Sequence, residues 1–149
     1  KQNKYLFGFV EFDRRHILRL MGYYHFPLGF VVGGTFSYLS GNPYNKFRYN
    51  EFFGDYRDLS TSRGYDPDNP GRELRMPDLV DTNLRVMWDA EDLTGLKLWL
   101  VTDISNVLNL RTPTDIEQRD LPEGSPTRFG DTLDTQSPTR FTFGLRFQY

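Results

Sequence analysis

The chain has 149 residues, 38% hydrophobic and 16% aromatic, and carries 18 Lys+Arg against 20 Asp+Glu for a formal net charge of −2, with no cysteine. Near-balanced charge excludes the basic field that a nucleic-acid partner requires, and the absence of thiols excludes disulfide frameworks, thiolate metal sites and cysteine nucleophiles. No run reaches the roughly 18 apolar residues of a transmembrane helix, but a modest apolar content rich in rings (13 Phe, 9 Tyr, 2 Trp) suits strands that meet lipid on one face.

The chain begins Lys1-Gln2-Asn3-Lys4, with no apolar stretch before a cleavage site, so no signal peptide is expected within it. Branched and aromatic residues over 16–26 predict a first strand, and the Pro27-Leu28-Gly29 break predicts a tight turn into a second over 30–39. Gly33 and Gly34 inside that second strand fit a bend or close packing in a curved sheet. Residues 40–78 contain Gly41-Asn42-Pro43, Gly54-Asp55 and Asp66-Pro67-Asp68-Asn69-Pro70-Gly71, a turn density that argues against sustained secondary structure and for one long external loop. Alternation resumes over 79–88, with Val80, Thr82, Leu84, Val86 and Trp88 on one face and Asp81, Asn83, Arg85, Met87 and Asp89 on the other. A short link leads to a strand over 96–106. A second long loop, 107–139, holds Pro113, Pro122, Pro126 and Pro138. The last strand, 140–149, alternates Phe141, Phe143, Leu145, Phe147 and Tyr149 with Thr142, Gly144, Arg146 and Gln148.

Period two alone fits either a soluble sandwich with an aromatic core or an antiparallel transmembrane β-barrel. The connections favour the barrel. They run short, long, short, long, as they do when short turns are periplasmic and long loops extracellular, which places the C-terminus in the periplasm. Five strands cannot close such a barrel, and an open end in lipid leaves costly unpaired backbone groups, so further polypeptide is expected to complete it.

In that frame Phe141, Phe143, Leu145, Phe147 and Tyr149 face lipid or its interface, and Tyr23, Tyr24, Trp88 and Trp99 are candidate interface anchors. Asp81, Asn83, Arg85, Asp103, Ser105, Arg146 and Gln148 are candidates for the polar lumen, against water or a plug. The first loop carries Tyr44, Phe47, Tyr49, Phe52, Phe53, Tyr56 and Tyr65, interleaved with Lys46, Arg48, Arg57 and Arg63. These rings and cations can pack the loop or offer a substrate-binding surface, with Tyr44, Arg48, Tyr49, Phe52, Phe53, Tyr56, Arg57 and Tyr65 as its candidates.

Asp66, Asp68, Asn69 and Asp78 could offer oxygens to calcium, although an Asx turn explains the first three more simply. His16 and His25 have no acidic neighbours at metal-ligand spacing. No phosphate loop, HExxH pair or GxSxG elbow occurs, so neither a catalytic site nor a resident cofactor is expected.

Five segments carry a resemblance. They are Phe12-Asp13-Arg14-Arg15-His16; Phe36-Ser37-Tyr38-Leu39-Ser40-Gly41-Asn42-Pro43-Tyr44; Arg75-Met76-Pro77-Asp78; Asp103-Ile104-Ser105-Asn106-Val107-Leu108-Asn109; and the aromatic terminus Pro138 to Tyr149. In this order they resemble the C-terminal barrel of TonB-dependent outer-membrane receptors, of the Oar-like subgroup that often carries a carboxypeptidase-regulatory-like domain. The resemblance implies a barrel of about 22 strands around an N-terminal plug, of which this chain would supply the last five strands. It also implies a bacterial outer-membrane location, uptake driven by a TonB-type complex, and Phe147 and Tyr149 as the terminal signal read by the assembly machinery. A structural or surface-interaction barrel without active transport is the alternative.

Overall fold

The computed structural model describes residues 8–58, 64–69 and 71–148, so the expectations for Arg63, Pro70 and Tyr149 lie outside the described residues. The protein is all-β apart from one helical turn, α1 (Glu91–Thr94). Its strands are β1 (Ile17–His25), β2 (Phe30–Leu39), β3 (Phe47–Asn50), β4 (Asp55–Asp58), β5 (Leu79–Asp89), β6 (Lys97–Ser105), β7 (Pro113–Ile116), β8 (Arg119–Asp120), β9 (Thr132–Thr135) and β10 (Arg140–Gln148). They fall into two compact units.

The first unit is an antiparallel sheet in the order β1-β2-β5-β6-β10. Branched and aromatic residues favour these strands, and short turns join β1 to β2 and β5 to β6. Between β1 and β2, Leu28 and Gly29 take positive φ of 64° and 77°. A Cβ on Gly29 would lie 2.5 Å from the Asp89 carbonyl oxygen, so only glycine fits. Hydrogen bonds from Phe26 N to Phe30 O and from Ser40 N to His16 O fix a register with Gly22 opposite Gly34 and Tyr23 opposite Gly33. From β2 to β5 the register is held by Asp89 N on Gly29 O and by Phe30 stacked on Trp88, ring centroids 5.6 Å apart. Then Arg85 faces Asp103 and Val86 faces Thr102, and beyond them Asp103 faces Thr142 and Thr102 faces Phe143.

The exit from β6 is set by Asn106 and Asn109, at φ 48° and 50°, a region asparagine tolerates better than most residues. Buried Asn106 donates from Nδ2 to the carbonyls of Leu110 and Ser137, while its Oδ1 accepts from Leu110 N. Every polar group of that side chain is thereby used, which is what its burial requires.

The second unit gathers residues 8–16, the described part of 39–79, and 112–136. Residues 40–78 were expected to lack sustained structure, but they contain the hairpin β3–β4, with Tyr49 opposite Tyr56. The second long connection holds β7, β8 and β9; β7 pairs with β9, and β8 adds to β3 in parallel. Each strand has four residues or fewer, short enough to fit between the prolines and glycines from which the loop was inferred. The buried apolar residues are few (Leu74, Met76, Ile116) and are joined by buried Ser40, Asn45, Asp66 and Glu117. Polar bonds therefore carry much of this unit. Asn45 Oδ1 accepts from Gly64 N at 2.8 Å and Asp78 Oδ1 from Gly41 N at 2.9 Å.

Candidate functional site

The five-stranded sheet has two chemically different faces, and register decides which residues share each. One face carries Phe141, Ile104 and Leu84 in one row, Phe143, Thr102 and Val86 in the next, then Leu145, Leu100 and Trp88, with Phe147 beside Leu98. It is uncovered: Phe143 is 76% and Leu145 68% exposed, and Phe141 and Phe147 are also exposed. Fully burying an exposed Phe or Leu side chain is worth about 1.5–3 kcal/mol, so these four, each between half and three-quarters exposed, together forgo roughly 4–8 kcal/mol in water. That is comparable to the whole stability of a small domain.

The opposite face is mixed, with Met87 paired to Val101 in one row and polar groups gathered in the rows beside it. Arg85 Nε and Nη2 donate to the two carboxylate oxygens of Asp103 at 2.5 and 2.9 Å, a forked pair across β5 and β6. Asn83 donates to Asp81 Oδ2 at 2.8 Å and to Thr35 Oγ1 at 3.4 Å, and its Oδ1 accepts from Asn106 N. Gly33, lacking a side chain, leaves a hollow beside Arg85, part of a concavity of about 860 Å³ whose lining includes Tyr23, Thr35, Asn83, Asp103 and Ser105. Further along, Arg146 lies over the Trp99 ring at 5.5 Å, and Gln148 faces Lys97. The seven lumen candidates (Asp81, Asn83, Arg85, Asp103, Ser105, Arg146 and Gln148) stand on this side of the sheet.

Two expected interface anchors differ. Tyr23 and Trp99 stand on the polar face, because Tyr23 is opposite Gly33 and Trp99 falls between Leu98 and Leu100. Trp88 is on the apolar face, with its Nε1 donating to Leu28 O at 3.0 Å. Thr35 and Thr142 were not singled out as site residues from sequence; the Gly33-Gly34 pair interrupts the β2 pattern that would have marked Thr35.

No known protein family, curated protein or solved structure matches this chain. The residues themselves therefore carry the functional argument.

In the second unit the loop aromatics divide. Tyr44 lies 5.9 Å from Phe129, and Tyr65 stacks on Phe9 at 5.5 Å, both as packing contacts. Phe9 is also covered by the guanidinium groups of Arg75 and Arg15, at 4.5 and 5.7 Å. The hairpin rings instead face outward: Phe52 is 88% exposed and meets Phe53 edge-on at 4.9 Å, while Tyr49 meets Tyr56 at 5.4 Å. Arg57 sits 4.1 Å from the centre of the Phe53 ring.

Arg48 is engaged otherwise, paired with Asp68 and, at 3.1 Å, with Asp120. Lys46 reaches the same two carboxylates at 2.9 and 3.3 Å. This cross-link explains how β3 tolerates Arg48 directly opposite Arg57, a like-charge pair that would otherwise repel.

The calcium candidates are each spoken for in the hydrogen-bond network. Asp66 accepts from Asp68 N at 2.9 Å and from Asn69 Nδ2 at 3.0 Å, the Asx turn expected from sequence. Those bonds, Asn69 first, lower the Asp66 pKa; the hydrogen bonds from Lys46 and then Arg48 do the same for Asp68. Asp78 binds Gly41 N. Among the described residues no three His, Cys, Asp or Glu side chains converge.

Proposed function

We propose that this chain is part of the wall of an outer-membrane β-barrel receptor that binds its substrate outside and imports it with TonB-type energy coupling. The observation that carries the reading is the two-faced sheet: a continuous exposed apolar face backed by a hydrogen-bonded polar one. Lipid supplies the missing cover for the first face, and a watery or protein-filled lumen suits the second. β1 and β10, at the sheet edges, are exposed along their whole lengths, which agrees with neighbouring strands that complete the barrel. Active import, the TonB partner and the plug rest on the resemblance of the five segments to that receptor family.

The test is fractionation of cells that express the complete gene product, followed by detergent extraction and gel electrophoresis with and without heating. A barrel partitions to the outer membrane and changes mobility when boiled. Recovery of this chain as a folded, soluble monomer without detergent would overturn the proposal. For transport, deleting the TonB-type partner should abolish substrate accumulation while leaving surface binding intact; unchanged accumulation would favour a structural barrel.

A further inference from the structure

The β3–β4 hairpin brings three cations together, and two of them are neutralised. Lys46 and Arg48 share the carboxylates of Asp68 and Asp120. Arg57 differs: among the described residues it has no ion pair and no hydrogen-bond acceptor, and its one specific contact is the face of Phe53. A guanidinium held against a ring keeps its N–H edges outward, where they can meet the two oxygens of a carboxylate. Beside it, Phe52 is braced edge-on by Phe53 and by the bond from its own N–H to Asn50 Oδ1, yet its ring is exposed. A rigid exposed ring is a low-entropy anchor for an apolar group. Glu51 and Asp55 lie on the same hairpin; Asp55 accepts from Tyr56 N and forms no ion pair with Arg57.

We infer that the Phe52–Phe53–Arg57 tip is a recognition site for an amphiphilic anion, a carboxylate attached to an aromatic or apolar body. Arg57 takes the carboxylate and Phe52 the body. Only the assignment of this ligand class to imported cargo rests on the receptor reading above; the site stands on the hairpin.

The experiment titrates the detergent-solubilised full receptor with 3-phenylpropionate, using 3-phenylpropanamide as the uncharged control, and follows saturation-transfer NMR. Each variant is first checked for the mobility shift on heating, so that loss of fold is seen separately. The carboxylate should bind about tenfold more tightly than the amide. Arg57→Gln should erase that preference, Arg57→Lys should retain part of it, and Phe52→Ala should weaken both ligands alike. Equal affinity for the two compounds, or a preference that survives Arg57→Gln, would overturn the inference. A heat-modifiable receptor that ignores the carboxylate defeats this site and leaves the membrane reading standing. A chain soluble without detergent that still prefers the carboxylate does the reverse.

Discussion

Glu117 illustrates how a unit with few apolar residues can depend on one carboxylate. Its side chain accepts from Arg119 Nε and Nη2 at 2.8 and 2.7 Å and from Arg119 N at 3.0 Å, although the residue is only 3% exposed. These bonds, the side-chain ones first, lower its pKa from 4.5 to about 2. A carboxyl that holds its proton less tightly when folded contributes fully above its ordinary value and loses that contribution as pH falls through the folded one. The second unit should therefore weaken between about pH 4.5 and about pH 2, seen as faster proteolysis within 112–136. Glu117→Gln should flatten that dependence and cost about 1–3 kcal/mol at neutral pH, because a buried amide nitrogen then meets the Arg119 donors in place of an acceptor oxygen. Gly41 is constrained by space instead. A Cβ there would stand 1.6 Å from the Met76 carbonyl oxygen, a backbone atom that cannot swing aside. Gly41→Ala should destabilise this unit by about 1–3 kcal/mol or more, measured by denaturant unfolding against an exposed control such as Gly22→Ala, where a Cβ meets nothing within 4 Å.

Among the elements, β10 gives the sharpest contrast, because neighbouring residues belong to opposite faces. In the membrane reading, Phe143→Arg places a charge in lipid and should cost about 2–4 kcal/mol near the bilayer centre. Thr142→Arg, one position earlier and beside Asp103, should be nearly neutral. Unfolding of the receptor from lipid vesicles compares the two, and equal costs would mean that the apolar face does not meet lipid. The same alternation is why two of the long strands were legible from sequence: in β5 and β10 one face stays largely apolar and the other largely polar along the strand. β3 and β4 were not legible, because four residues hold only two periods and Gly54 and the surrounding turns dominate their composition. The Arg48-Tyr49 and Tyr56-Arg57 pairs around Gly54 were the available hairpin signal. Which polar residues share a face within one strand was readable from parity, but the Arg85–Asp103 fork was not, since it depends on the register between two strands. Trp99 was misread for a related reason: aromatic identity suggests an interface, whereas parity within β6 sets the side.

For the whole molecule, connection length becomes a statement about sidedness. β1–β2 and β5–β6 are joined by the short links at 26–29 and 90–96, while β2–β5 and β6–β10 are joined through 40–78 and 106–139. Antiparallel strands that each cross a bilayer put these two classes of link on opposite sides, and outer-membrane barrels put the long ones outside. Gly124 and Gly95 are well suited to test this, since each takes a positive φ in a turn and a Cβ on either would meet nothing within 4 Å. In the membrane reading, a short epitope inserted after Gly124 should bind antibody on intact cells. The same epitope after Gly95 should bind only after the outer membrane is permeabilised, with both variants at wild-type abundance. Labelling of both sites on intact cells would mean that the strands between them do not cross a membrane, and the exposed Phe and Leu face would then need a protein partner as its cover.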